Sequence, residues 1–438
     1  MKKIAVISLG CDKNRIDTEH MLFRLVRDGY AVSDLNDADV IIINTCAFIE
    51  SARQESIDNI LECARLKTEG RCKKLIVTGC LPQKYRAELR EALPEADAFL
   101  GAFEYDKICA VINSGEYSET DVKSDYAAFC ADENCGRVLT TFPHVAYLKI
   151  AEGCDNKCTF CTIPSIRGGY RSRPLVDIIN EAAGLVKDGV KELILVAQDV
   201  TRYGADIGES LVRLLTELEK LPVDIIRLLY CYPERVTDEL IRKIADSPKI
   251  AKYIDIPVQH CSDKILKLMN RRTTGNEVRA LIDKLHNKGI AVRTTLMVGF
   301  PGETETEFAE LVDFVKSARP EYAGIFAYSK EDGTAAARLK NHVLKREKLK
   351  RVKALGAACA RITREFNESL VGKTLRVLYE DVDFDKNMFV GRASFQTPGV
   401  DGVVYFTCEH ADVGKFYDVK ITGCDDYDLY GEAVNDLV

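Results

Sequence analysis

The sequence lacks long hydrophobic runs, and it contains little proline for its length. No stretch approaches the roughly 18 apolar residues that a membrane-spanning helix needs, so no membrane association is expected. The 12 prolines and 28 glycines exclude a collagen-like chain, and 46% apolar with 29% charged residues excludes a disordered one. A length of 438 residues predicts two to four globular domains.

A typical secretion signal is also absent. Residues 1–11 contain two lysines, a short apolar stretch and a cysteine, but the apolar stretch barely reaches the roughly 7 residues that a signal needs. We interpret it as a first β-strand and expect a cytoplasmic protein. In a reducing compartment, 16 cysteines favour metal or redox chemistry over a disulfide framework.

The first 115 residues alternate apolar runs with amphipathic stretches. This pattern predicts an α/β fold with a parallel sheet, the N-terminal domain, over 1–115. The apolar runs are 4–9, 40–43 and 75–77. The polar residues 116–143 are typical of a connecting segment.

A second α/β series follows over 144–371, and a β-rich segment over 372–438. Six apolar runs lie at 145–150, 193–196, 225–230, 253–258, 292–298 and 322–328. They predict a central open (β/α)6 barrel, a partial TIM-type barrel, with a trailing helix over 338–368. Short β-branched and aromatic runs at 375–379, 389–393, 403–406 and 417–421 predict a small antiparallel β-barrel.

Charge separates this last domain from the rest of the chain. Residues 372–438 contain thirteen acidic and six basic residues, a net charge of −7, so the remaining 55 bases and 55 acids balance. An acidic surface can serve solubility alone. It can also attract a basic partner and repel phosphates.

The strongest motif is Cys154-x3-Cys158-x2-Cys161, directly after the first run of the barrel series. Three thiolates within eight residues can bind one face of an iron-sulfur cluster and leave one iron open to a small ligand. The alternatives are chance and a structural zinc site without its fourth ligand. The position at the carboxyl-terminal mouth of a barrel favours chemistry.

A second group of cysteines is spread along the N-terminal domain. Cys11, Cys46 and Cys80 each follow one of the three apolar runs, about one βα unit apart. In a parallel sheet these positions lie at the same edge, so the thiols are expected to converge. Each cysteine alone could be a small buried residue that ends a strand. Three cysteines at the same position of three successive βα units favour a second iron-sulfur cluster.

The Cys154 motif on a partial barrel resembles the radical S-adenosylmethionine (SAM) family. Three segments resemble the methylthiotransferases of that family: SLGCDKN at 8–14, NTCAFI at 44–49 and TGCLPQ at 78–83. The last domain resembles the TRAM domain of these enzymes. The resemblance covers nearly the whole chain. It implies two 4Fe-4S clusters, with SAM as methyl donor and radical source, and a reductant protein such as flavodoxin or ferredoxin.

The family contains one branch that acts on a ribosomal protein and others that act on transfer RNA. Residues 9–14, 46–49, 55–58, 197–204 and 255–260 resemble the first branch. This resemblance implies that the enzyme places a methylthio group on the β-carbon of an aspartate in small-subunit ribosomal protein twelve. A basic ribosomal protein suits the acidic last domain as a partner, whereas transfer RNA does not. The alternatives are a transfer RNA methylthiotransferase and, in another class, an iron-sulfur redox sensor or carrier.

The resemblance also suggests cofactor contacts with weaker signals. Gln198 and Asp199 occupy the place of the family motif that binds the methionyl amino group, but the glycines and glutamate of that motif are absent. Gly299 would allow close approach of an adenosine, and Glu303 belongs to the same turn; both could equally form a tight turn. His260 is expected to be hydrogen-bonded within the fold. The ten other cysteines, including Cys130 and Cys135, are interpreted as structural.

Overall fold

The computed structural model describes residues 2–114 and 136–435. Cys130, Cys135 and most of the connecting segment predicted over 116–143 lie outside these residues. Within them, none of the helices is both long and apolar enough to cross a membrane.

The N-terminal domain is built on a parallel five-stranded sheet in the order β2-β1-β3-β4-β5. Its strands are β1 (Lys3–Ser8), β2 (Ala31–Val32), β3 (Val40–Thr45), β4 (Lys74–Gly79) and β5 (Ala98–Phe99), and its helices are α1 (Asp12–Arg27), α2 (Glu50–Thr68), α3 (Cys80–Ala92) and α4 (Ile108–Ser114). The three predicted apolar runs are β1, β3 and β4, which are adjacent. β3 is buried along its whole length because a hydrophobic core covers each face of the sheet.

The central domain contains the six predicted barrel strands. They are β6 (Val145–Lys149), β9 (Glu192–Val196), β10 (Ile225–Leu228), β11 (Tyr253–Gln259), β12 (Ala291–Val298) and β13 (Tyr322–Ala327), with the short antiparallel pair β7 (Ala151–Glu152) and β8 (Arg171–Ser172) between them. Two parallel sheets, β10-β9-β6 and β11-β12-β13, meet where Ile226 bridges Ile250. The open barrel is therefore confirmed.

Helices cover the outside of these strands and pack on an apolar core between the two layers. They are α6 (Leu175–Lys187), α7 (Leu211–Leu218), α8 (Asp238–Asp246), α10 (Gly275–His286), α11 (Glu305–Ala318) and the trailing α12 (Lys345–Glu368). Two short helices, α5 (Ile163–Arg167) and α9 (Asp263–Leu268), pack into other apolar clusters. A second cluster fills the barrel interior, where Ile16 of α1 packs against Tyr147 and Tyr253. The N-terminal domain thus contributes a side chain to the barrel core.

The chain ends in a small closed barrel in the order β14-β15-β16-β18-β17. Its strands are β14 (Thr374–Asp383), β15 (Met388–Ala393), β16 (Val404–Thr407), β17 (Phe416–Cys424) and β18 (Leu429–Asn435). The predicted β-barrel is confirmed, with one correction: β18 was not predicted, and it pairs with β16 in parallel while the other pairs are antiparallel.

Candidate metal centres

Cys11, Cys46 and Cys80 lie at one edge of the N-terminal sheet. Cys11 precedes the first residue of α1, Cys46 follows β3 directly, and Cys80 begins α3. The parallel register aligns the strand ends, since Asn44 pairs with Ser8 and with Thr78. The three thiols interact: burial raises the pKa of Cys80 to about 12, and the charges of Cys11 and Cys46 act in the same direction. The structure therefore brings the three cysteines to one edge of the sheet, as their phase predicts, and their binding of a cluster stays a prediction.

Two glycines make this convergence possible. Gly10 has φ +90°, and a Cβ there would lie 2.7 Å from the Cys46 Cβ, so only glycine lets the Cys11 loop approach Cys46. Gly79 has φ +96°, and a Cβ there would lie 2.3 Å from Asn44 Oδ1. Ser56 fixes the loop that carries Cys46, because its Oγ accepts from the Cys46 amide and donates to the Cys46 carbonyl. We call this cluster the sheet triad.

Cys154, Cys158 and Cys161 lie in the loop that follows β7, at the carboxyl end of β6 and hence at the barrel mouth. Burial raises the pKa of Cys154 to about 11 and that of Cys161 to about 12, and Cys158 adds to each shift through its charge. The Cys154 amide donates to the Gly168 carbonyl over 3.1 Å, which holds the loop against α5. We call this cluster the barrel triad.

The barrel triad has two neighbours that sequence reasoning missed. The Tyr232 hydroxyl lies 3.1 Å from Cys158 Sγ. The Arg271 guanidinium stacks 3.9 Å from the centre of the Tyr232 ring, and its Nη1 lies 4.0 Å from the same sulfur. These two residues lie 74 and 113 residues after Cys158 in the sequence, so only the folded barrel places them there. A hydroxyl and a cation next to a thiolate ligand are groups that tune a metal site.

The donor set of each triad fits an iron-sulfur cluster. Within residues 2–114 and 136–435, no three His, Cys, Asp or Glu side chains are arranged to surround one metal ion. A four-iron cluster is bound at its corners, however, so its thiolates need not converge on a single point. Each triad supplies three free thiols and a neighbouring arginine. Metal binding deprotonates cysteine, so the raised thiol pKa values do not conflict with this use.

A buried ion network runs from Cys80 of the sheet triad to Glu152, two residues before Cys154. Arg167 Nη2 lies 3.5 Å from Cys80 Sγ, while its Nη1 donates to Asp17 over 2.9 Å and to Glu152 over 3.3 Å. Lys149 donates to the same two carboxylates. Burial alone would raise the pKa of Glu152, but the charges of Arg167 and Lys149 lower it to about 2. These residues are far apart in sequence, and no local motif indicated them.

The loops of the two triads are also in direct contact. Thr162, next to Cys161, donates its hydroxyl to the Phe48 carbonyl over 3.4 Å, and Phe48 lies two residues after Cys46. Ile166 of α5 packs into the apolar core beneath the sheet triad. The barrel mouth and the sheet edge therefore face the same part of the molecule.

Gln198 has a free acceptor at this mouth. Its Nε2 donates to Glu152 over 2.7 Å, but its buried Oε1 has no hydrogen-bond partner among the described residues. A buried unpaired carbonyl costs about 1–3 kcal/mol, so this oxygen favours a donor that is not part of the chain. A contact with an amino group of a cofactor is consistent with this position.

Asp199 has partners for both of its oxygens within the chain. Its Oδ2 accepts from Asn156 over 2.9 Å and from Arg235 over 2.7 Å, and its Oδ1 accepts from Thr201 over 2.6 Å. Asn156 lies between Cys154 and Cys158, so Asp199 supports the loop of the barrel triad. Its predicted contact with a cofactor stays a prediction.

Gly299 and Glu303 form a tight turn that the structure explains without a ligand. Glu303 Oε2 accepts from the Gly299 amide over 2.8 Å, and its Oε1 accepts from Arg351 over 2.7 Å. A Cβ at Gly299 would lie 2.4 Å from Lys348 Cγ, so α12 itself requires the glycine. The predicted cofactor role of both residues stays a prediction.

His260 is buried and held by the backbone. Its Nδ1 accepts from the amides of Cys261 and Ser262, each over 3.0 Å. An imidazole nitrogen that accepts carries no proton, so the proton lies on Nε2, 3.6 Å from Glu303. The histidine is thus bound within the fold, as expected.

Family models match three separate parts of the chain. They are the radical SAM superfamily over residues 148–315, the uncharacterized protein family UPF0004 over 3–101 and the TRAM domain over 371–434.

Two full-length relatives carry the name ribosomal protein uS12 methylthiotransferase RimO. The relative from Citrifermentans bemidjiense is 46% identical over 99% of each chain. The one from Thermoanaerobacter sp. strain X514 is 47% identical over 99% of this chain and all of its own. The radical SAM methyltransferase TsrM from Kitasatospora setae, solved with cobalamin and a 4Fe-4S cluster, has a TM-score of 0.54 and 13% identity over 85% of this chain and 79% of that chain. This last likeness concerns the fold.

Proposed function

The chain belongs to the family of the ribosomal protein uS12 methylthiotransferase RimO, and we propose that it places a methylthio group on the β-carbon of an aspartate in that ribosomal protein. It is a transferase of the radical SAM superfamily. One observation carries the proposal: two separate thiol triads lie on loops that contact each other, and they face the same part of the molecule. A single cluster would suffice for an electron carrier, whereas this chemistry needs a radical source and a sulfur source.

Membership of the superfamily implies a 4Fe-4S cluster and SAM. We assign that cluster to Cys154, Cys158 and Cys161, and a second one to Cys11, Cys46 and Cys80. When bound, the clusters and SAM supply a carbon radical, a methyl group and a sulfur atom. The chain supplies binding, orientation and exclusion of water.

The residues around the mouth perform that orientation. Gln198 offers its unpaired Oε1 to the methionyl amino group of SAM. Asp199 holds Asn156 and thereby the loop between Cys154 and Cys158. Tyr232 positions the Cys158 sulfur through its hydroxyl. None of these side chains needs to move a proton for the proposed reaction.

The substrate defines the surroundings that the enzyme needs. A basic ribosomal protein suits the acidic C-terminal domain, and a ribosomal substrate places the enzyme in the cytoplasm with the ribosomes. Reductive cleavage of SAM also requires an electron, which a flavodoxin or ferredoxin would deliver. Transfer RNA is disfavoured because the net negative charge of the last domain repels phosphates.

Two cysteine variants test the assignment of the triads. We expect Cys158→Ala to abolish release of 5′-deoxyadenosine, because the barrel triad then cannot hold the cluster that cleaves SAM. We expect Cys46→Ala to release 5′-deoxyadenosine and to transfer no sulfur. Both quantities are measured by mass spectrometry after anaerobic reconstitution with SAM, reductant and sulfide. Radical formation in Cys158→Ala would contradict the assignment.

A competition experiment tests the substrate. Small ribosomal subunits and bulk transfer RNA are offered together to the reconstituted enzyme, and the methylthio group is located by mass. We expect it on ribosomal protein uS12. A methylthio group on a nucleoside would leave the assignment of the two triads standing, but it would show that transfer RNA is the substrate. If neither the ribosomal protein nor transfer RNA carries a methylthio group, a redox sensor becomes the favoured function.

A further inference from the structure

Lys13 is a buried lysine whose ammonium has no acceptor in the described part of the chain. Its residue is 6% exposed. The Nζ atom lies 3.2 Å from the centre of the Tyr230 ring, and no hydrogen bond or ion pair with a described residue accompanies this contact. Other buried bases behave differently: Lys149, Arg167 and Arg227 each donate to buried carboxylates.

The ring contact leaves the ammonium able to bind an acceptor. A cation over an aromatic face is attracted by the ring, but the ring does not accept its three N–H groups as a carboxylate would. The carboxylate of the adjacent Asp12 accepts from the Tyr230 hydroxyl over 3.1 Å, and no contact joins it to the Lys13 ammonium in the described part of the chain. Lys13 is thus a preformed positive site whose donors have no acceptor among the described residues.

The position of Lys13 is at the junction of the two triads. It lies in the first turn of α1, two residues after Cys11, and Cys11 is exposed. Tyr230 lies two residues beyond β10, at the carboxyl end of the barrel strands. The ammonium therefore lies where the sheet edge meets the barrel mouth.

The backbone at Tyr230 is strained to make this arrangement. Tyr230 has φ +59°, a left-handed conformation that is uncommon for a residue with a side chain. The Asp255 carboxylate accepts a hydrogen bond from the Tyr230 amide over 2.9 Å and thereby holds this conformation. Strain of this kind is found at sites where the surrounding structure holds a functional side chain in place.

We infer that the Lys13 ammonium binds a carboxylate of the protein substrate and thereby determines specificity for an acidic residue. This inference rests on the proposed function. A single ammonium matches the single charge of an aspartate side chain, and an asparagine at the same place would leave the cation unpaired. The β-carbon is bonded to this carboxyl group, so an ion pair to Lys13 fixes the reacting carbon without any bond to the lysine. Lys13 acts here as a binding residue.

Binding measurements test this role without turnover. The probe is a synthetic peptide of the target segment of ribosomal protein uS12, in one form with aspartate and in another with asparagine at the target position. Fluorescence anisotropy gives the Kd of each form for the full-length reconstituted enzyme. We expect wild type to prefer aspartate by at least about tenfold. We expect Lys13→Met to reduce this preference to about one, and Lys13→Arg to retain part of it.

Controls separate this role from a structural one. Lys316→Met removes a positive charge from the exposed face of α11 and should keep the wild-type preference for the aspartate peptide. Thermal unfolding of each variant reports folding independently of binding. A folded Lys13→Met enzyme that still prefers aspartate would overturn the inference while leaving the proposed function intact, as would a wild-type enzyme that modifies uS12 but binds the two peptides equally. Failure of wild type to bind or modify uS12 overturns both.

Discussion

Gly153 shows how one residue fixes the position of a whole triad. It precedes Cys154 with φ +74°, and a Cβ there would lie 2.1 Å from the Gly169 carbonyl oxygen. That contact is far shorter than any real Cβ contact, and the atom it meets is backbone, which cannot rotate away. The loop of the barrel triad and the end of α5 can therefore lie together only if position 153 is glycine.

We expect Gly153→Ala to displace the Cys154 loop and to empty the barrel triad. The iron content after anaerobic reconstitution should fall from about eight to about four atoms per chain, because each 4Fe-4S cluster holds four. Gly189→Ala is the matched control: Gly189 also has a positive φ, +105°, but a Cβ there meets nothing within 4 Å. The control should lose some stability and keep its iron. Full iron content in Gly153→Ala would show that the loop can relax.

Some residues of the candidate site could be identified from the sequence, and others could not. The six triad cysteines were identifiable because local spacing, or the period of a βα unit, places them. Arg167 was not, since its partners Asp17, Cys80 and Glu152 come from other elements and only the packed domains bring them together. Glu303 resembled a cofactor residue in its turn, yet Arg351 of α12 occupies its carboxylate.

At the level of elements, the predictions succeeded where hydrophobic runs were long and buried. β3 is a continuous apolar run and was located within two residues, whereas the edge strands β2 and β5 have two residues each and leave no pattern. β18 was missed because Gly431 and Glu432 interrupt its alternation. The trailing helix was predicted from 338 and begins at Lys345, because 336–338 form a separate short helical turn.

Helix α1 carries a pH-sensitive residue, His20. It is buried, and neither of its ring nitrogens has a hydrogen-bond partner among the described residues. Burial lowers its pKa from 6.5 to about 3, so the imidazole is neutral in the folded chain. The unfolded chain binds a proton below pH 6.5 that the folded chain does not, and stability therefore falls as the pH falls below 6.5.

We expect His20 to cost about 2 kcal/mol of stability between pH 7 and pH 5. Urea unfolding of the apo chain at half-unit pH steps measures this slope, and His20→Gln should flatten it. Glu181 and Glu192 do not interfere, because charges of neighbouring arginines lower their pKa values to about 2 despite burial, and their contribution is lost only below about pH 4.5. An unchanged slope in His20→Gln would assign the acid sensitivity to other groups.

At the scale of the whole molecule, buried ion pairs attach the C-terminal barrel to the central one. Arg392 donates to Glu380 of its own domain and, over 2.5 Å, to Glu192 at the start of β9. Asp401 accepts from Tyr253 over 2.8 Å. These contacts lie at the amino ends of the barrel strands, opposite the cysteines. The sequence separated the domains by composition, but it could not predict pairs that are about 150 to 200 residues apart.

The acidic character of the C-terminal domain is partly internal. Glu380 and Asp401 are consumed in the interface with the central barrel. Seven of the other acidic residues are exposed carboxylates, namely Asp381, Asp385, Glu409, Asp412, Asp425, Asp426 and Glu432. These residues form the surface available to a basic partner. Exposed charges act over about one Debye length, so their effect on association depends on salt.

We expect the double variant Asp385→Asn, Glu409→Gln to associate with ribosomal protein uS12 several-fold more slowly than wild type at low salt, because fewer negative charges attract the basic partner during encounter. Stopped-flow fluorescence measures the association rate, and the difference should vanish at about 0.5 M salt, where the Debye length is only a few ångströms. Glu310→Gln with Asp313→Asn on α11 removes the same charge elsewhere and is the matched control. Equal slowing in both double variants would mean that net charge attracts the substrate, and an unchanged rate in the first would place the docking surface outside the C-terminal domain.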